Sequence, residues 1–399
     1  WLPSSPQNLT KVVFKMNSNY TILNIRAHSW AEKDNLVFPT ITKPVSNGWF
    51  AWSPIGQFEP NSQKVPYVVV PPSIKFPISL RYKDSPPKLE KKPNIFLDNM
   101  LQYIESSSYM YVMVRNNQQA QLNANIVCTS EVLELMMCAP YEKKTGWSLG
   151  VTRYRNTMYI CRIDVEQPDP IDQDNLKRAM QEFWLRNLRT HCVFENGIKM
   201  HQHNQSSEEH LRFHGVFSFD LNGNRVLFDS PVLAEMPSTT LNGSALSWVD
   251  LQIRPMFMSR LDWPEHNRTE ALKWWVKCFL LGIESLYIAR RDENAHVHNI
   301  EKTLVRDLWK SCEKDWSPTV CANFMIYLLN CISQVMAPID CPSTVYLFQF
   351  DASQGTVSYK GLRGRNQYTF VSDWFRMMLD DHTNDMCKTP NLQTMSSIV

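Results

Sequence analysis

The chain has 399 residues, 43% of them hydrophobic and 12% aromatic, with 13 Trp; such a composition buries a sizeable core and excludes a disordered polymer. Basic residues number 41 and acidic residues 39, a formal net charge of +2, so any RNA site must be a local patch rather than a global property. The 10 Cys are scattered without a Cys-x-x-Cys pair, which removes the common zinc and redox motifs and suits a reducing compartment.

Residues 1–15 precede Met16, and two readings stand open for them: a vector or upstream remnant, or a partner peptide fused to the protein. Leu9, Val12, Val13 and Phe14 lie near strand spacing, a pattern that can add a strand to a sheet edge. Residues 16–381 are expected to form one domain. From Tyr20 to Pro93, prolines and short polar turns separate strand-like pieces such as Tyr67-Val68-Val69-Val70. Asn94 to Ser106 reads as a helix with Leu97, Leu101 and Ile104 on one face. Leu149 to Val165 alternates as two strands around Arg155-Asn156.

Leu176, Ala179, Met180, Phe183, Trp184, Asn187 and Leu188 keep a helical period, with Lys177, Arg178, Arg186 and Arg189 largely off that face. Phe213–Phe219 and Arg225–Phe228 read as strands of one hairpin turned by Asn222-Gly223. Asn267 with Glu270 forms a capping pattern for a helix over Leu272–Leu281, stopped by Gly282. Thr319 to Ile339 is uncharged and long enough to raise the membrane question. Asn323, Asn330, Ser333, Gln334 and Pro338 interrupt it, while Ser317 and Pro318 mark a helix start, so the segment reads as a buried core helix and no membrane is expected. Residues 382–399 are polar and read as a mobile tail. Strands and helices mix without βαβ regularity, which points to an α+β domain.

Three stretches carry a resemblance. The first is Cys138-Ala139-Pro140-Tyr141-Glu142-Lys143-Lys144-Thr145-Gly146-Trp147, continuing to Gln167; the second is Leu272-Lys273-Trp274-Trp275 with Cys278-Phe279-Leu280 and Gly282; the third is Trp316-Ser317-Pro318 with Val320-Cys321 and Asn323-Phe324. In this order and spacing the chain is similar to the decapping exoribonuclease family. The resemblance implies two packed mixed β-sheets flanked by helices, a relative of the PD-(D/E)XK nuclease core. It also implies a two-metal site fed by a Glu, a Glu-x-Asp pair and a Glu-hydrophobic-Lys motif.

Two-metal phosphodiester hydrolysis needs about four converging carboxylates to neutralise the ions. At the implied positions the chain carries Glu195, then Pro231 and Leu233 for the pair, then Asp250 and Gln252 for the last motif. Asp250 is one methylene shorter than Glu, a reach lost of roughly 1.5 Å. Lys277 stands where the family has Gln, and Ser130 where it has Arg in a Trp-Arg-Gly triplet. These positions read as vestigial: no catalytic set, no bound metal and no cofactor are expected.

Lys277 has two readings, a cation that neutralises Glu195 and Asp250 and receives a phosphate, or a surface lysine on an amphipathic helix. Arg153 and Arg155, alternating with Tyr154 and extended by Lys143 and Lys144, are candidates for a phosphate-tracking strand surface; the other reading is a solvated sheet face. His201, His203, His210 and His214 lack partners in register for zinc and read as ordinary loop and strand histidines.

The expectation is an inactive family member that occupies RNA 5′ ends. By resemblance to a divergent insect germline member it implies a nuclear adaptor protecting piRNA-precursor transcripts from cap-dependent processing, splicing and termination, with protein partners of the Deadlock and Rhino type. An active metal-dependent decapping or 5′-3′ exonuclease with a rearranged site, and a pure protein-interaction scaffold, are the alternatives.

Overall fold

Strand alternation decides which side chains meet between the two large sheets of this α+β fold. The computed structural model describes residues 20–388 except 34, 53–56, 62–64, 69–72, 82–96, 115–118, 164–172, 196–197, 200–212 and 236–246; the side chains of 173–175, 178, 195, 198–199 and 385–388 are also outside the description. Strand β1 (Ile126–Thr129) leads directly into α1 (Ser130–Cys138). A hairpin of β2 (Trp147–Tyr154) and β3 (Thr157–Arg162) follows, turned by Arg155 and Asn156 at φ 49° and 65°. Helix α2 (Gln173–Cys192) then enters β4 (Val193–Glu195).

The Asn222-Gly223 turn joins β5 (Phe213–Leu221) to β6 (Asn224–Pro231), both strands running further than the hydrophobic pattern alone suggested. The turn residues take φ 51° and 83°, which an Asn-Gly pair adopts at little cost, and Asp220 Oδ1 accepts the Gly223 N–H at 2.8 Å. After β6 the chain crosses through Val232 and Leu233 to β7 (Ala234–Glu235) in the second sheet, beside β8 (Trp248–Pro255).

The first sheet has ten strands, in the order 21–26, 356–362, 345–351, β2, β3, β1, β6, β5, 45–52 and 58–60. The second has eight, in the order 198–199, β4, 67–68, β7, β8, β9 (Ser285–Arg291), 296–304 and 78–79. Within the first sheet β1 pairs in parallel with both β3 and β6. Its alternation splits the core. Ile126 and Cys128, Met158 and Ile160, and Val226 and Phe228 face one cluster; Val127, Tyr159, Cys161 and Leu227 face another, covered by the helix Asp98–Ser106 and by Phe375 and Leu379. Each fully buried Phe or Leu contributes about 1.5–3 kcal/mol.

The first cluster lies between the sheets, because Leu286 and Ile288 of β9 join it while Tyr287 and Ala289 point away. Between the sheets lie α1, α3 (Leu272–Leu281) and α4 (Pro318–Met336). Gly282 ends α3 at φ 67°, its N–H bonded to Phe279 O and the next N–H to Cys278 O, as its place after the last apolar residue predicts. Helix α4 is the one described helix long and apolar enough to span a membrane. Val320, Cys321, Phe324, Met325 and Leu328 are buried against α1 and the 3-10 segment Ala27–Glu32, as a core helix requires.

One local expectation is corrected. Asn267 does not cap α3: the helix begins earlier, at Asp262, and passes through a π-helical stretch Asn267–Ala271. The Asn267 side chain instead donates to Asp315 Oδ2 at 2.7 Å, a tertiary bond that no local pattern reveals. Helix α5 (Asp373–Lys388) carries backbone helix through 382–388. Residues 1–15 lie outside the described residues.

Candidate functional site

Alternation along β8 sends Val249 and Leu251 to the outer core of the second sheet. Asp250 and Gln252 therefore point to the opposite face, toward the space between the sheets where Trp248 packs. Asp250 is 0% exposed. Its Oδ1 receives Lys277 Nζ of α3 at 2.9 Å, and its Oδ2 receives the Gln252 amide at 2.8 Å. Burial alone would raise this carboxyl; Lys277, Arg189 and the two hydrogen bonds outweigh it and hold the group below its ordinary value. Val276 and Cys278, both fully buried, fix the helix on either side of Lys277.

Ser130, at the start of α1, is buried and donates to Ser230 Oγ on β6 at 2.9 Å. Glu134 stands four residues on, on the same helical face. Burial pushes its carboxyl up, and Glu131 and Asp250 push the same way, while Lys277 and a hydrogen bond with Ser130 oppose the shift. Arg189 of α2 completes the group: burial lowers its guanidinium, Asp250 counters that, and its Nε has no partner among the described residues. Sequence reasoning left Glu134 out, although the Ser130–Glu134 spacing was its signal. It placed Arg189 off the apolar face of its helix without linking it to Asp250.

Two carboxyl groups, Asp250 held low and Glu134 pushed up, share this cluster with two cations. A divalent ion needs several free oxygens from carboxylates, carbonyls or water, and both Asp250 oxygens are already engaged by an ammonium and an amide. Among the described residues no group of three or more His, Cys, Asp or Glu is placed to hold a metal ion. The described donors do not fit the two-metal centre that the resemblance implies.

Pro231 is exposed at the end of β6 and Leu233 is partly buried in the crossover. β7 pairs Ala234 with Val249, so Leu233 and Asp250 each lie one residue from that pair, on the same side of it. The position neighbours Asp250 in the strand register, but the Leu233 side chain packs with Val249 and Leu251 on the outer core, away from the face Asp250 takes, and adds no carboxylate. Glu195 ends β4, which is two strands from β7; its side chain lies outside the described residues.

The strand arginines are engaged within the fold. Arg153 donates to Ala337 O and Ile339 O at 2.9 and 3.3 Å, capping the C-terminal end of α4, and to Asn156 Oδ1 at 2.6 Å. Arg155 is 9% exposed and donates to Ala120 O at 2.8 Å, Leu379 O at 3.0 Å and the Asp380 carboxylate. Both serve tertiary structure. Alternation proposed the face, and long-range acceptors invisible in the sequence claim it. Lys143 is exposed, and Lys144 pairs with Glu265 at 2.7 Å. His214 stacks on Phe50 and meets Asp229 Oδ2 at 2.6 Å; His201, His203 and His210 lie outside the described residues.

A family model described as "RAI1 like PD-(D/E)XK nuclease" matches residues 42–376. The decapping and exoribonuclease protein of Bos taurus is 22% identical over 363 residues, covering 89% of each chain. Decapping and exoribonuclease protein Rai1 of Drosophila melanogaster is 22% identical, covering 88% of this chain and 95% of its own. Among solved structures, Scheffersomyces stipitis Rai1 in complex with (3′-NADP)+ and calcium matches with a TM-score of 0.66 at 15% identity, over 87% of this chain and 100% of that one. Candida albicans Rai1 in complex with pU5-Mn2+ matches with a TM-score of 0.65 at 12% identity, over 91% and 99%.

Proposed function

The chain belongs to the RAI1-like PD-(D/E)XK nuclease family, and from that membership we propose that it is an inactive member that binds RNA 5′ ends instead of cutting them. In this reading it resembles Cutoff, the divergent insect germline member. It acts in the nucleus as an adaptor that keeps nascent piRNA-precursor transcripts from cap-dependent processing, splicing and termination, with protein partners of the Deadlock and Rhino type.

The observation that carries the reading is the Lys277–Asp250 ion pair, buried where charge-neutralising metal would be needed, with Pro231 and Leu233 adding no carboxylate. Two cations, Lys277 and Arg189, remain in the cleft as partners for a terminal phosphate. Removing one member of a catalytic set costs orders of magnitude in rate, and here most of the set is replaced.

The test incubates 5′-monophosphorylated and capped RNA with Mn2+ and, separately, titrates their binding against salt. The reading expects no specific product, a steep salt slope and a preference for the 5′ end that Lys277→Ala weakens. Cleavage that Glu195→Ala abolishes would establish the rearranged-enzyme alternative. Indifference to RNA would leave the scaffold.

A further inference from the structure

We propose that Lys277 is a tethered cation standing in for a divalent ion at Asp250, and that its removal turns the cleft into a metal site. The proposal rests on the reading of this cleft as the ancestral metal centre, but not on whether RNA binds there.

The geometry is specific. Lys277 Nζ lies 2.9 Å from Asp250 Oδ1 on a helix whose neighbouring residues Val276 and Cys278 cannot withdraw from the core. The ammonium is also felt by Glu134, whose carboxyl it favours in charged form. One side-chain cation therefore acts on both described carboxyl groups, by contact at Asp250 and through space at Glu134. Because it is covalently held, it competes with dissolved ions at a fixed high local concentration. A divalent ion would have to displace it from Asp250 and then sit beside an uncompensated ammonium, a like-charge contact made costly by burial. Neither Pro231 nor Leu233 supplies the extra negative charge that would favour that exchange.

With Lys277 changed to Gln the balance reverses. Asp250 Oδ1 is freed, burial disfavours its charge until a divalent ion restores the balance, and Asp250 and Glu134 offer carboxylate oxygens of the kind Mn2+ and Mg2+ take, with water completing the shell. Arg189 still repels a cation, so the affinity gained is moderate.

The experiment titrates the full chain with Mn2+ alone, following free Mn2+ by EPR and thermal stability in parallel. Lys277→Gln should bind one Mn2+ at least about tenfold more tightly than wild type and gain Tm on adding it. Lys277→Arg, and Lys277→Gln combined with Asp250→Asn, should behave as wild type. The proposal is overturned if Lys277→Gln binds no more tightly than wild type, if its binding survives Asp250→Asn, or if wild type itself holds a Mn2+ that Asp250→Asn removes. Should Lys277→Gln not fold without metal, refolding decides: recovery with Mn2+ supports the proposal and failure to recover with it refutes the proposal. RNA affinity is measured separately, so loss of the 5′-end reading and loss of this one give different results.

Discussion

Replacing Lys277 by Met keeps the length and most of the stem but removes the ammonium. Asp250, 0% exposed, would then keep only the Gln252 amide and the more distant Arg189 charge. Breaking a buried ion pair from one side costs about 3–5 kcal/mol. The partners that remain reduce this to about 2–4 kcal/mol for Lys277→Met at neutral pH. The pH dependence identifies the cause. In wild type the Asp250 carboxyl is held below its unfolded value, so its stabilisation is present at neutral pH and lost as pH falls through the depressed value. Without Lys277, burial dominates and the carboxyl rises above the unfolded value, so acidification relieves the penalty instead. The gap between wild type and variant should narrow from neutral to about pH 4. Urea unfolding followed by tryptophan fluorescence at a series of pH values measures it. A cost below about 0.5 kcal/mol, the range of an ordinary surface change, or a gap independent of pH, would refute the argument.

Other outcomes follow from the same structure. Arg155→Ala should destabilise by about 2–4 kcal/mol, because Ala120 O, Leu379 O and Asp380 lose a shared donor, and RNA affinity should not change in a binding assay. Gly282→Ala should cost about 1 kcal/mol in denaturant midpoint through its φ of 67° alone, since the nearest atom to an added Cβ lies 3.8 Å away. Glu134→Gln should stabilise the protein at neutral pH, where the buried carboxylate is disfavoured, and the gain should fade as pH falls through its raised value; pH-dependent unfolding measures both.

How much of this was legible beforehand differs by element. The Asn222-Gly223 hairpin, the Gly282 stop, the Arg155-Asn156 turn and the core helix after Ser317 were readable, because each rests on local backbone chemistry within a few residues. The Lys277–Asp250 pair was readable as a hypothesis through the resemblance, which aligned two distant positions; its geometry needed β8 and α3 to be packed. What failed had distant partners. Asn267 is claimed by Asp315, where a local pattern assigned it a cap, and Arg153 and Arg155 reach carbonyls far along the chain, which neither a phosphate track nor a solvated face anticipates. Glu134 was missed because its role comes from burial beside Lys277, and an i, i+4 partner of Ser130 is an unremarked feature of any helix.

The most direct test of the Lys277–Asp250 pairing in the cleft is a crystal of the full chain soaked in Mn2+ and read by anomalous scattering. The account predicts Lys277 Nζ still against Asp250 and no manganese peak between α1, α3 and β8. A peak coordinated by Asp250, with Lys277 swung away, would contradict it.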